Sequence, residues 1–177
     1  MKVALIRSRY NPFGGAERFI ENALGALSEA QVELTVITRR WPANAQANIR
    51  NIVVDPFHIG SWWRDAGFAR AVCATLERER FDLVQSHERL ACCDVYRAGD
   101  GVHATWLEQR KRVSGPGKQI SMALNPHHRF LLNAERELFT SSRLKAVICN
   151  SQMVKDDIAR RFGTPDAKFR VIGNAVD

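Results

Sequence analysis

The chain opens Met1-Lys2-Val3-Ala4-Leu5-Ile6-Arg7-Ser8-Arg9-Tyr10-Asn11-Pro12-Phe13-Gly14-Gly15-Ala16-Glu17-Arg18. Val3 to Ile6 form a short, unbroken apolar run, the pattern of a central parallel strand covered on both faces. A loop over residues 9–15 follows. Residues 16–29 then take helical spacing, with Ile20, Ala23, Leu24 and Leu27 on one face and Glu17, Glu21 and Asn22 elsewhere. A buried strand that turns through glycines into a helix is how a doubly wound α/β sheet begins.

Outward from that stretch the alternation continues. Residues 32–38 read as a second strand, and 49–54 as a third, stopped by Asp55-Pro56. Residues 61–80 predict a helix with Ser61 as N-cap and Phe68, Ala69, Val72 and Leu76 as its apolar stripe. Strands are expected at 81–85 and 95–98. Helices are expected at 102–112 and 118–140, parted by the breaker Ser114-Gly115-Pro116-Gly117. A strand at 146–149, a helix at 151–162 capped by Ser151 and closed by Gly163, and a strand at 169–172 complete the series. The pattern predicts an α/β fold: a Rossmann-like parallel sheet with helices on both faces, as one domain over residues 1–177.

Composition agrees. The 177 residues are 45% apolar and 25% charged, which excludes a disordered chain. No segment reaches the roughly 20 apolar residues of a membrane span. The run at 3–6, closed by Arg7, is far too short for a signal-peptide core. Cys73, Cys92, Cys93 and Cys149 have neither disulfide-framework nor zinc-site spacing, and read as reduced, mostly buried thiols of a cytoplasmic protein. The net charge is +7. No helix-turn-helix, aromatic RNA-binding pattern or zinc ligand set accompanies it, so nucleic acid is not an expected partner.

Ligands of such sheets sit at the carboxyl ends of the strands. The first such end carries Gly14-Gly15 directly before a helix, whose free N–H groups and positive dipole end favour an anion. The pair reads equally as a phosphate contact or as a tight strand-to-helix turn. The dinucleotide fingerprint G-x-G-x-x-G is missing, so Arg39-Arg40 reads as a solvated loop end, not as the 2′-phosphate reader of a nicotinamide-dependent oxidoreductase.

Four stretches carry a resemblance. Gly14-Gly15-Ala16-Glu17-Arg18 resembles the Gly-Gly-x-Glu/Gln-Arg opening of the family 4 retaining glycosyltransferases, which have the GT-B fold of two Rossmann-like domains. Asp94-Val95-Tyr96-Arg97-Ala98-Gly99-Asp100 is similar to a segment of the lipopolysaccharide-core glucosyltransferases that act on heptose. Cys149-Asn150-Ser151-Gln152 resembles the start of a late helix in family 4 N-terminal domains. Val171 to Asp177 resemble the passage into the C-terminal domain, with Ala175 where the family usually has Gly. Phe19 stands where close relatives carry an acidic residue.

The resemblance implies the acceptor-binding N-terminal half of a glycosyltransferase. The nucleotide-sugar-binding half would lie outside this chain, and the isolated half would not turn over. The donor is a nucleotide-sugar, taken as substrate. No cofactor and no metal are expected, because charge on the leaving diphosphate is met by basic groups and helix dipoles. By position, Gly14, Gly15 and Glu17 would form the donor-phosphate loop. Asp100 would be the catalytic-site carboxylate, taking a hydrogen bond from a sugar hydroxyl or assisting proton movement. Without the resemblance, Asp100 reads as a turn or cap aspartate.

His87-Glu88-Arg89 follow a strand and read equally as the acceptor side of a cleft, with His87 and Glu88 as candidates, or as a polar surface loop. His127-His128 are helix neighbours pointing about 100° apart, and read as surface or interface histidines, not as a chelating pair. Trp106, Arg110, Lys111, Arg112 and Lys118 interleave basic with large apolar residues, which suits the inner face of an anionic membrane and a glycolipid acceptor. A solvated basic face gives the same pattern. Trp62-Trp63 form a second exposed-aromatic candidate. A non-catalytic Rossmann-like module on an anionic membrane or glycolipid surface is the alternative function.

Overall fold

The computed structural model describes residues 1–9, 32–40 and 50–173. Within them seven strands form one sheet: β1 (Lys2–Ile6), β2 (Glu33–Thr38), β3 (Arg50–Val53), β4 (Leu83–Ser86), β5 (Val95–Ala98), β6 (Ala146–Cys149) and β7 (Phe169–Val171). Every pair is parallel, in the order β3-β2-β1-β4-β5-β6-β7. Five helices are described: α1 (Gly60–Arg78), α2 (His103–Arg112), α3 (Pro116–Leu124), α4 (Pro126–Thr140) and α5 (Gln152–Phe162). The expected Rossmann-like architecture is the observed one.

The strand order places a switch point at β1. The chain moves outward to β2 and β3, then returns through α1 to β4 on the other side of β1. The carboxyl ends of β1 and β4 therefore border the crevice where such sheets bind ligands. A hydrogen bond crosses the switch, the Ser8 amide donating to Glu88 Oε1 at 2.9 Å.

One sheet face carries Ala4, Ile6, Val84, Tyr96, Ala98, Val147 and Cys149, and packs with Phe68, Val72 and Leu76 of α1, Leu138 and Phe139 of α4, and Ile158 of α5. Phe139 joins two layers, edge-on to Tyr96 and stacked on Phe162. These apolar side chains recur at i, i+4 and i+8 along α1, so one stripe meets the sheet.

Several expectations need correction. The stretch 118–140 is two helices, because Pro126 cannot continue α3 and restricts Asn125 before it to extended backbone. The break is capped: Asn125 Oδ1 accepts the His127 amide at 2.9 Å. Ser61 lies inside α1, whose N-cap position is Ile59 with no side-chain cap. The strand expected at 81–85 runs Leu83–Ser86, since Asp82 serves as a cap, its carboxylate taking the Lys2 amide at 2.7 Å. Arg39 is buried and not solvated. It donates to Asp55 Oδ1 through Nε and Nη2 at 2.8 and 2.6 Å. Arg40 is exposed, as expected.

Cys73 and Cys92 are not separate thiols but a disulfide, with Cα atoms 5.9 Å apart. Spacing along the chain hides this, because α1 lies against the turn after β4. Cys93 and Cys149 are buried and free, and burial pushes their thiols up to about 12 and about 11. The α5 reading holds: Ser151 Oγ accepts the Val154 amide, and Gly163 closes the helix at φ 65°. The expected helix at 16–29 and residues 174–177 lie outside the described residues.

Candidate functional site

Asp100 stands two residues past β5, in the loop between β5 and α2, and is exposed. The backbone on either side is fixed. Asn150 Nδ2 donates to the Gly99 carbonyl at 3.0 Å, and Arg89 Nη2 donates to the Gly101 carbonyl at 3.2 Å. Gly101 has φ +69°, a conformation other residues enter only with strain. The backbone that carries the exposed Asp100 is thus held on both sides.

Arg89 is itself held from behind. Its Nε donates to Oε1 of Glu135, which is 1% exposed, at 3.0 Å. The same carboxylate accepts the amides of His103, at 2.6 Å, and Ala104, at 3.4 Å. Glu135 thus neutralises Arg89 and satisfies two free N–H groups at the start of α2. Burial alone would lower the Arg89 pKa, but the Tyr96 hydroxyl, Glu135 and Asp100 together raise it. Sequence reading took Arg89 with His87 and Glu88 as one stretch after a strand, and missed its partner Glu135. The signal was present: Glu135 sits in the apolar stripe of α4 beside Ala134, Leu138 and Phe139.

His87 and Glu88 follow β4 and lie at the switch point. Arg7 Nη1 donates to His87 Nδ1 at 3.5 Å. Burial, then the charges of Arg7 and Arg97, push the His87 pKa down to about 4. At neutral pH its imidazole is uncharged. Glu88 turns to the Ser8 amide, while its own amide and carbonyl close a turn with the Ser86 hydroxyl. The ends of β4 and β5 are neighbours, so His87, Glu88 and Asp100 stand in loops at the same end of the sheet. A cavity there is lined by Ser8, Asp65, Phe68, Glu88 and Arg89, but not by His87 or Asp100.

Of the two readings given for His127 and His128, surface or interface, the structure shows the second: both are half-buried helix contacts. His127 Nε2 bonds Asp65 Oδ2 of α1 at 2.9 Å, and His128 Nδ1 meets His103 Nε2 of α2 at 3.1 Å. Among the described residues no three or more His, Cys, Asp or Glu side chains are grouped to hold a metal ion. Gly14, Gly15 and Glu17 lie outside the described residues.

Asp94 opens the Asp94–Asp100 motif and is structural. It is buried, Oδ2 accepts the Val84 amide at 2.9 Å, and Lys145 Nζ lies 3.2 Å from Oδ1.

The profile of Glycosyltransferase Family 4 matches residues 13–177. The chain belongs to glycosyltransferase family 4. Among solved structures, WaaG, a glycosyltransferase involved in lipopolysaccharide biosynthesis, superposes with TM-score 0.81 at 20% identity, over 96% of this chain and 44% of WaaG. The sucrose-phosphate synthase of Thermosynechococcus elongatus gives 0.60 at 15% identity, over 97% of this chain and 47% of that one. The lipopolysaccharide outer core galactosyltransferase WaaB gives 0.58 at 16% identity, over 99% and 46%. The chain spans less than half the length of each of these three, and the likeness is one of fold, that of a GT-B N-terminal domain. A search of curated proteins finds no match.

Past Asp100, the family 4 chain runs into the α2–α3 hairpin. Trp106, Arg110, Lys111, Arg112 and Lys118 are all exposed, as are Val113, Ile120 and Leu124 at 83%, 61% and 74%. Arg110 lies 5.8 Å over the Trp106 ring. Gln119 Nε2 ties the hairpin, donating to the Lys111 and Ser114 carbonyls. Trp62 and Trp63 of α1 are 48% and 44% exposed. No described helix is long and apolar enough to cross a membrane.

Proposed function

We propose that this chain is the acceptor-side half of a retaining glycosyltransferase that moves a sugar from a nucleotide-sugar to a glycolipid of the lipopolysaccharide-core kind. The observation that carries the reading is the Asp100 loop. It is held at Gly99 and Gly101 beside the switch point of a family 4 domain, with its carboxylate exposed. A carboxylate so placed accepts a hydrogen bond from an acceptor hydroxyl and assists its proton as the new glycosidic bond forms. Donor binding falls mainly to the second GT-B domain, so the half described here does not turn over alone. Neither a metal nor a cofactor enters this scheme.

The α2–α3 hairpin supports work at the inner face of an anionic membrane, where basic side chains meet lipid headgroups and exposed apolar ones enter the interface. The same hairpin is what a non-catalytic membrane-docking module would need.

The test is Asp100→Ala in the chain joined to its nucleotide-sugar-binding half, assayed with nucleotide-sugars and lipopolysaccharide-core acceptors. Transfer should fall about a hundredfold or more, the scale of lost general acid–base help. Transfer at the unmutated rate takes Asp100 out of the site, and no transfer by the unmutated protein favours the docking module.

A further inference from the structure

The cavity at the switch point has two walls, and a disulfide joins them. One wall is α1, through Asp65, Phe68 and Ala69; the other is the turn after β4, through Glu88, Arg89 and Leu90. Cys73 stands one helical turn beyond Ala69, on the same face of α1. Cys92 follows Leu90 in the turn, where the Cys93 amide donates to the Leu90 carbonyl at 3.4 Å. The Cys73–Cys92 bond thus ties wall to wall. Both of its cysteines are partly exposed, whereas Cys93 beside them is buried and free.

The two walls are anchored unequally. Phe68, Val72 and Leu76 hold α1 to the sheet without help from the bond. Leu90 apart, the turn hangs on single hydrogen bonds: Ser8 amide to Glu88, Ser86 hydroxyl to the Glu88 carbonyl, and Ser141 hydroxyl to the Ala91 carbonyl. When the bond is cut and the sulfurs part to van der Waals distance, the turn moves and the helix stays. Arg89 carries that movement to the Gly101 carbonyl, and so to the backbone of Asp100.

We propose that Cys73 and Cys92 are a reversible dithiol pair whose oxidation state sets the position of the Glu88 and Arg89 wall and, through it, of the Asp100 loop. Glutathione is the co-reactant. One glutathione thiolate attacks a sulfur of the bond, forms a mixed disulfide and expels the other cysteine as a thiolate, which takes a proton. A second glutathione thiolate attacks the glutathione sulfur of that mixed disulfide, releases the remaining cysteine and leaves as glutathione disulfide. Two electrons enter the protein, and glutathione disulfide drives the reverse. Cytosolic disulfides are usually transient and redox-sensing. The pair rests on the proposed function only for its compartment and for the reaction it regulates.

The test is backbone amide NMR and thiol alkylation of the 177-residue chain in glutathione buffers of varied redox ratio. Cys73 and Cys92 should be alkylated in reduced buffer and protected in oxidised buffer. The amides of Glu88, Arg89 and Gly101 should shift between the two states, while those of Ile158 and Arg161 in α5 stay in place. Cys73→Ser with Cys92→Ser should show the reduced spectrum in both buffers, and Cys93→Ala should respond as the unmutated chain does. Should a variant fail to fold, the unmutated chain still decides. Alkylation of both cysteines at every ratio, or amides that do not move, overturns the pair. In the chain joined to its nucleotide-sugar-binding half, transfer should be about tenfold lower in the reduced state, within what a displacement of about 1 Å can cost. Equal transfer in the two states overturns the regulation. No transfer in either state sinks only the enzymatic reading, and the amides still decide this one.

Discussion

Glu135 Oε1 accepts the Nε–H of Arg89 at 3.0 Å, from a side chain only 1% exposed. The pair links the core to the Asp100 loop, because Arg89 also holds the Gly101 carbonyl. Removing one partner of a buried pair strands the other, a loss of about 3–5 kcal/mol. Glu135→Gln should therefore lower the urea midpoint sharply. Glu108→Gln, which breaks an exposed pair with Arg161, should cost well under half as much. Equal losses in the two variants would refute the assignment.

Gly101 separates backbone conformation from packing. A Cβ there would meet only Val154 Cγ2, at 3.9 Å, an ordinary contact, but φ is +69°. Gly101→Ala should cost about 1–2 kcal/mol from the left-handed backbone alone. Gly99→Ala, which meets nothing within 4 Å, should be close to neutral. In the complete enzyme Gly101→Ala should also reduce transfer, since the loop sets where Asp100 stands. A Gly101→Ala chain as stable as its parent would show that the loop is unstrained.

The sheet was legible because its strands are short apolar or β-branched stretches, unbroken at residues 3–6 and in β6, set between helical spacing and punctuating Gly, Pro and Asp residues. β5 and β6 fall where the pattern places them, and α5 carries both of its caps in sequence. The errors share one cause: local pattern says nothing of distant partners. Cys73 and Cys92 meet because α1 packs near the turn after β4. Arg39 is buried because Asp55 comes to it. The site divided in the same way. Asp100 was singled out through a motif and Arg89 through its place after a strand, but the Arg89–Glu135 pair, 46 residues apart, makes no local pattern. The α3–α4 break is different. Pro126 stands in the sequence itself, inside the stretch 118–140 that reads as one helix.

The histidines predict a pH dependence. His87 and His103 both sit at about 4 in the folded chain, His87 through burial and then Arg7 and Arg97, His103 through burial and then Arg89 and its histidine neighbours. Unfolded, each returns to about 6.5. Between those values the unfolded chain binds more protons, so stability is intact above pH 6.5 and falls as the pH drops toward 4. For buried His87 the full loss is about 3 kcal/mol; half-exposed His103 contributes less. Unfolding free energies measured across pH 4–7 should slope upward with pH, and His87→Gln should flatten the curve. A slope unchanged in His87→Gln would remove His87 as its source.

The Cys73–Cys92 bond closes a sequence separation of 19 residues. A loop of that size stabilises by about 3 kcal/mol through the unfolded chain. Reduction should lower the melting temperature by several degrees, and Cys73→Ser with Cys92→Ser should reproduce the loss. Thiol titration of the folded, unreduced chain should find Cys93 and Cys149 slow to react, since burial holds both as thiols. Two fast thiols before reduction, at Cys73 and Cys92, would mean that no bond forms.

The α2–α3 hairpin separates charge from insertion. Arg110, Lys111, Arg112 and Lys118 are exposed, and basic residues at an anionic surface contribute about 1 kcal/mol each. Replacing all four by Gln should reduce binding to phosphatidylglycerol vesicles about a hundredfold or more at low salt. The unmutated chain should lose the same binding near 1 M salt, where screening shortens to about 3 Å. Val113, Ile120 and Leu124 act differently, because apolar contact is not screened. Changing these three to Ser should weaken binding at every salt concentration, and on neutral vesicles as well. If the Gln and Ser variants both float with anionic vesicles as the unmutated chain does, the hairpin is a solvated basic face and the membrane contact lies elsewhere.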